Sequence, residues 1–404
     1  MRMFHDKRAL DYIDAHKDQI VAFMQKLLQT ESVTGHESEI GALMAEECSN
    51  DGLEVEVVEP NEGRTSVVAR YRGTTGRPKV MMYSHYDTVP PGDLSTWTYP
   101  PFSGTVADGQ IWGRGASDNK IATCGLTMAF RAIRSLGIGL RGDIVFTHVG
   151  DEERGGYYGF KYLIDKGYGE GVDCLFYAHG GSGEQIGIAS NGSRSCNILV
   201  KGKAAHTARL EEGVNAVVKA AELVRRLQRL GDEVNSRRYH LPGTDTVMRS
   251  RLSINKCVGY VAGNSVPDKC EVMIDRRFTP GEDANQIERE FQRVLDDLKV
   301  EDPKFDAEMS MSEGMEVSVA PADSELVKSI QRVAEKVVGC RPKPVGGSHS
   351  SDHGWFVSRH HKSMASYGIG GVGGHTANER IRIEDVILTT KVYALLMLDL
   401  LGAE

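Results

Sequence analysis

VMMYSHYDTVPP, residues 80–91, is an apolar run from Val80 to Tyr83 that stops at His85, Tyr86 and Asp87 and breaks on Pro90 and Pro91. The run reads as a buried strand. Residues i and i+2 of a strand project to the same side, so His85 and Asp87 face together whatever lies beyond its end. Taken alone, the stretch is equally compatible with a solvated loop carrying two ordinary polar residues.

Outward from this strand, residues 54–58 and 66–71 form further β-rich runs, and apolar residues at helical spacing predict one amphipathic helix over residues 7–29. GDIVFTHVG (142–150) follows a helical segment at 120–136, and DCLFYAH (173–179) follows a helix near 158–166. Strands alternating with helices indicate α/β layering around a largely parallel sheet. The texture changes at residue 194. RSCNILVKGK, the helix 213–230, RLSINKCVGY, CEVMIDRRF and the helix 283–299 approach a βαββαβ sandwich. The expected organisation is therefore an α/β catalytic domain, residues 1–193 and 316–404, with an inserted α+β ferredoxin-like module at 194–315. Helices at 323–338 and 384–402 resume the first pattern.

Forty per cent of the 404 residues are hydrophobic and 26% charged, an ordinary globular balance. A net charge of -8 argues against nucleic acid as a partner. No apolar run reaches a membrane-spanning length and no signal-like segment opens the chain, so a cytoplasmic protein is expected. The seven cysteines include no CxxC pair and read as reduced thiols.

Four more places with acids or histidines punctuate the α/β segments. IWGRGASDNK (111–120) puts Asp118 after a glycine-rich turn, and VGDEERGG (149–156) puts Asp151, Glu152 and Glu153 after a strand. FYAHGG (176–181) ends a strand on His179, and GIGGVGGHTANE (368–379) holds His375 in a glycine-rich loop. Singly, each has an ordinary explanation: Asp118 a helix N-cap, the acidic triplet a solvated turn, the histidines structural. Jointly they lie where α/β sheets build sites, outside the carboxyl ends of strands, and they form the mixed N/O set that suits zinc, manganese or cobalt.

These blocks, with VKGKAAHTARLEEGVNAV (200–217), GNSVPDKCEVMIDRRFTPGED (263–283), SSDHGWF (350–356) and GGHTANERIRIEDV (373–386), resemble the metallopeptidase family of acetylornithine deacetylase, succinyl-diaminopimelate desuccinylase, aminoacylase and glutamate carboxypeptidase. The resemblance implies one or two divalent metals, zinc or manganese or else cobalt. It implies His85 as a ligand, Asp118 as a carboxylate bridging two metals, and Glu153 and His375 as ligands of the second. Glu152 would be the general base and Asp87 the residue orienting His85. His206 would reach into a partner subunit to support the oxyanion, giving a homodimer joined through 194–315, with a larger homo-oligomer also open. Asn264 and Arg277 would contact a small carboxylate-bearing substrate, Arg277 by a bidentate grip. A surface histidine and a strand-face ion pair are the plainer readings of His206 and Arg277.

At the fifth ligand position the peptidase and deacetylase branches carry Glu or Asp, whereas this chain offers His179, as the carbamoyl and ureido amidohydrolase branch does. Such a site carries one negative charge fewer, which predicts that one metal is weakly held or absent. Asp173 or Glu184 is the alternative donor. His349, beside Ser350 and Ser351, is a candidate for the pocket wall. The expected reaction is hydrolysis of a C–N bond, foremost the amide of an N-acyl amino acid or peptide-like acid. A carbamoyl or ureido compound, or an amino-aromatic acid such as nitroanthranilate losing ammonia, is the alternative. A non-catalytic metal-binding protein would not need Glu152.

Overall fold

Val80, Met81, Met82 and Tyr83 are all fully buried, which accounts for an apolar run without alternation: both faces of the strand Lys79–His85 are covered. In the computed structural model, which describes residues 2–261 and 263–404, this strand lies between Asp143–Val149 and Cys174–Ala178 and runs parallel to both. Ser363–Tyr367 continues the parallel order beyond Cys174–Ala178. Antiparallel strands flank this centre, with Ser66–Tyr71 and then Glu54–Val58 on one side. On the other side stands Gln185–Ser190, antiparallel to Ser363–Tyr367; it pairs in turn with Ser318–Val319 (antiparallel) and Lys343–Gly347 (parallel). Because the central strands are parallel, their carboxyl ends open along one edge, and the segments after His85, Val149, Ala178 and Tyr367 emerge side by side.

The helices Lys120–Ser135 and Ile383–Leu401 pack against one another and the sheet, almost wholly buried. The predicted helix over 7–29 is in fact two helices, Arg2–Ala15 and Lys17–Gln29. His16 breaks it with φ -116° and ψ 25°; its ring stacks on Tyr12 at 3.9 Å, and its Nδ1 lies 2.7 Å from the Tyr12 carbonyl. The apolar spacing runs on through the break, which is why periodicity merges the two.

A second core is separate from the first. Gly192–Lys201 is flanked by Lys269–Phe278 and Asp306–Met311, with Arg251–Val258 at the outer edge, every pairing antiparallel. The helices Ala216–Ser236 and Ala284–Glu301 pack with this sheet around Ile198, Leu223, Leu227, Val272, Ile274 and Phe291. Asn215 and Asp283 cap the two helices by accepting backbone N–H bonds. Apart from the small hairpin Arg238–His240 and Val247–Arg249, the strand and helix order of this sheet and its helices is βαββαβ, as the sequence pattern suggests. No helix among the described residues is long and apolar enough to cross a membrane.

Candidate metal centre

His85 ends its strand fully buried, and its Nε2 stands 3.2 Å from Asp118 Oδ1. The other oxygen of Asp118 lies 3.3 Å from His375 Nε2, and that nitrogen is 3.0 Å from both oxygens of Glu153. Donor atoms of His85, Asp118 and Glu153 all lie within 4.8 Å of one another. Two ligands of a tetrahedral ion at about 2.0–2.2 Å stand roughly 3.4 Å apart. The donor set therefore fits a divalent metal in both chemistry and spacing, and Asp118 presents one oxygen to each histidine.

Local backbone explains how these side chains meet. Asp151 adopts a left-handed conformation, φ 68°, and is held there by Arg64 at 2.7 Å and the Tyr158 N–H at 2.8 Å. This turns the chain so that the N–H groups of Glu152 and Glu153 both donate to the Asp87 carboxylate, at 3.1 and 3.2 Å. Asp87 also accepts the Thr34 hydroxyl at 2.9 Å and faces His85 Nδ1 at 3.5 Å. One buried carboxylate thus ties the first histidine to the acidic turn. Asp118 precedes the helix Lys120–Ser135 but is not its cap; Asn119 holds that position without a capping bond, its Nδ2 donating instead to the Ala178 carbonyl at 2.9 Å. The glycines of 368–374 answer a steric demand. A Cβ on Gly371, whose φ is +94°, would lie 2.3 Å from the Ser117 Cβ.

Burial first, then the nearby carboxylates of Asp118 and Asp87, pushes the Glu152 carboxyl up to about 7. Burial likewise raises Glu153 to about 8. His375 rises to about 9, chiefly through its bond to Asp118. Burial opposes a charge on both His85 and Asp118. Even so, His85 is raised by Glu152, Asp118 and Asp87, while Asp118 is held well below its ordinary value by His375 and His85. Several carboxylates converge with too little positive charge among them, which is the deficit a divalent cation makes good.

Glu152 lies beside this donor set, 4.0 Å from His85 Nε2, with one oxygen accepting the Ser351 hydroxyl at 3.2 Å. A cavity of about 640 Å³ opens over the cluster, walled by His85, Asp118, Glu152, Glu153, His375, His179, Arg277 and His349. His179 belongs to this wall but not to the tight donor group; its Nδ1 turns against the Gly180 carbonyl, and burial lowers its pKa. Asp173 is no substitute donor. It sits at the opposite end of its strand, bonded to Arg77 and the Lys79 N–H, and Glu184 is exposed outside the cavity. Arg277 departs from the expected free fork: Nε and Nη2 engage Asp275, while Nη1 reaches Ser350 at 3.1 Å. His206 and Asn264 are exposed in the inserted domain, where their segments bond to one another, and neither joins the cavity of its own chain.

Sequence reasoning missed Glu379, fully buried and bonded to the Asp118 N–H at 2.9 Å, and the buried pair Tyr83–Asp352 behind Glu152. Glu379 stands inside the matched block GGHTANERIRIEDV, but nothing local marks a charged side chain as buried.

The sequence profile of peptidase family M20/M25/M40 matches residues 81–399. The chain is 28% identical over 375 residues to succinyl-diaminopimelate desuccinylase of Paracoccus denitrificans, covering 91% of this chain and 94% of that one. The corresponding enzyme of Hydrogenovibrio crunogenus is 26% identical over 94% and 98% of the two chains. Among solved structures, an M20 family metallo-carboxypeptidase from Sulfolobus solfataricus superposes with TM-score 0.78 at 18% identity, covering 94% of this chain and 98% of that one. A dinuclear metal-binding M20 peptidase from Bacillus subtilis superposes with TM-score 0.72 at 16% identity, covering 96% and 99%. The chain belongs to peptidase family M20/M25/M40 and is a metal-dependent hydrolase of amide C–N bonds.

Proposed function

We propose that the protein hydrolyses the amide of a small N-acyl amino acid or peptide-like acid. The observation that carries this reading is one cavity combining Glu152, a carboxylate of raised pKa, with the His85–Asp118–Glu153 donor set and the cation of Arg277. In this reading His85, Asp118, Glu153 and His375 hold one or two zinc or manganese ions, with His179 as a further ligand once its ring turns from Gly180. When bound, the metal supplies a Lewis acid that polarises the scissile carbonyl and acidifies water. Glu152 takes the proton of the attacking water and returns it to the leaving nitrogen. A C–O bond forms and the C–N bond breaks, releasing a carboxylate and an amine. Asp87 keeps the His85 ring oriented and the Glu152 turn in place. The protons of Arg277 that Asp275 and Ser350 leave unused, with His349, bind the substrate carboxylate, and Asn264 contacts it from the other chain of a pair.

The catalytic domain spans residues 1–193 and 316–404 in this reading, and residues 194–315 pair two chains so that His206 of one serves the oxyanion in the other. Leu210, Val218, Val258 and Tyr260, all exposed apolar side chains of that insert, support such an interface. The second reading, release of ammonia from a carbamoyl, ureido or amino-aromatic acid, is favoured by one feature, His179 in the cavity wall.

The test is a panel of N-acyl amino acids, dipeptides, N-carbamoyl amino acids and amino-aromatic acids given to Mn²⁺- or Zn²⁺-loaded protein, with primary amine and ammonia read separately. Primary amine without ammonia, abolished by chelation and restored by metal, is expected. Ammonia release would replace this reading with the second.

A further inference from the structure

The loops that carry His85, Asp118 and His375 converge on one buried ion pair that donates nothing to the cavity. Glu379 and Arg114 are 0% and 2% exposed, and Arg114 Nη1 bonds Glu379 Oε2 at 2.7 Å. The same oxygen accepts the Gly115 N–H at 2.9 Å, while Oε1 accepts those of Ser117 and Asp118 at 2.8 and 2.9 Å. All four acceptor positions of the carboxylate are thereby used. The Glu379 carbonyl accepts a fifth bond, from the Gly113 N–H at 3.0 Å. Arg114 extends the tie to the segment that follows His85 and Asp87. Its Nη2 donates to the Pro90 carbonyl at 3.4 Å, and its guanidinium covers the Trp97 ring at 5.2 Å.

The geometry around Asp118 makes this clamp specific. With the Asp118 N–H held by Glu379, the side chain retains only its own two torsions to set Oδ1 at 3.2 Å from His85 and Oδ2 at 3.3 Å from His375. His375 lies four residues before Glu379 in a loop closed by the Thr376 N–H to Gly373 carbonyl bond and the Val372–Arg380 bridge. A movement of Glu379 therefore displaces Asp118 and His375 relative to each other and, through Arg114 and Pro90, relative to His85. A glutamine in its place keeps the shape but turns an NH₂ group towards at least one of the three backbone donors.

We propose that Glu379, with Arg114, is a positioning residue of the metal centre, setting the spacing of the three donor-bearing loops without touching metal or substrate. This rests on the metal centre proposed above. The test measures Zn²⁺ affinity by competition with a chromogenic chelator, and the visible spectrum of the Co²⁺-loaded form, on the full chain and its variants. For E379Q, affinity is expected to fall about 10–100-fold, the usual effect of removing a support behind metal ligands, with an altered Co²⁺ spectrum. R114K should show a smaller loss in the same direction. E282Q, which weakens the pair of Glu282 with the buried Arg276 in the inserted domain, should lower thermal stability while leaving Zn²⁺ affinity and the spectrum unchanged. Wild-type affinity and spectrum in E379Q would overturn the proposal; if E379Q does not fold, the same result in R114K would do so. An unchanged affinity in D118N would instead remove the metal centre itself.

Discussion

Replacing Asp87 by asparagine separates two jobs that the structure gives to one side chain. Asp87 is fully buried and its two oxygens serve four neighbours: the N–H groups of Glu152 and Glu153, the Thr34 hydroxyl and the His85 ring. Asparagine offers one acceptor oxygen, so in either amide orientation one of the two backbone N–H groups faces an NH₂. The lost bond to a charged acceptor is worth about 1.5–3 kcal/mol, and the orphaned donor adds its own desolvation cost. His85 loses its anionic support at the same time, for which about 10–100-fold in metal affinity is expected. Chelator competition should therefore report weaker Zn²⁺ binding in D87N. At saturating metal, turnover should stay at least about tenfold down, because added metal does not rebuild the turn that presents Glu152. Wild-type affinity would show that Asp87 does not orient His85. Full recovery of turnover at saturating metal would show that the turn stands without it.

Glu152→Gln should lower kcat by about 10²–10⁴-fold with metal content unchanged by elemental analysis; loss of metal would make Glu152 a ligand instead. His206→Ala should be nearly inactive alone, yet mixing it with Glu152→Gln should recover up to about a quarter of wild-type turnover if subunits exchange and sites are shared; no recovery in proven heterodimers would place His206 outside the partner's site. In the inserted domain, burial would raise the Glu282 carboxyl, but Ser250, Thr279 and Arg276 outweigh it and hold the group at about 2. A group depressed in this way stabilises the fold above its ordinary value of 4.5, and the contribution is lost as pH falls towards 2. It amounts to roughly 3 kcal/mol, so denaturant unfolding between pH 6 and 3 should show a shallower acid decline in E282Q; identical slopes would refute the assignment.

Where periodicity and turn chemistry are local, the chain is readable. Val80–Tyr83 declares a buried strand, the change of pattern at residue 194 announces a βαββαβ insert, and the acids and histidines fall after strand ends. His16 marks the limit of this reading, because an apolar stripe that continues across a break looks like one helix. At the site, the sequence singles out His85, Asp118, Glu152, Glu153 and His375, and these meet around one cavity. It overreaches with Asp173, since a residue before a strand and one after it look equally close to the strand yet lie at opposite ends of the sheet.

Sequence alone therefore determined the layering, the insert and the kinds of side chain that gather at the sheet edge, since these follow from spacing along the chain. Only the tertiary structure decided how they are held: Asp87 shared between His85 and the Glu152 turn, the Arg277 fork committed to Asp275, and Glu379 clamped on Gly115, Ser117 and Asp118. Glu379 and Asp118 are 261 residues apart in sequence. The bond between them depends on where two distant loops are brought by the sheet, and on a burial that turns an ordinary surface carboxylate into a structural anion.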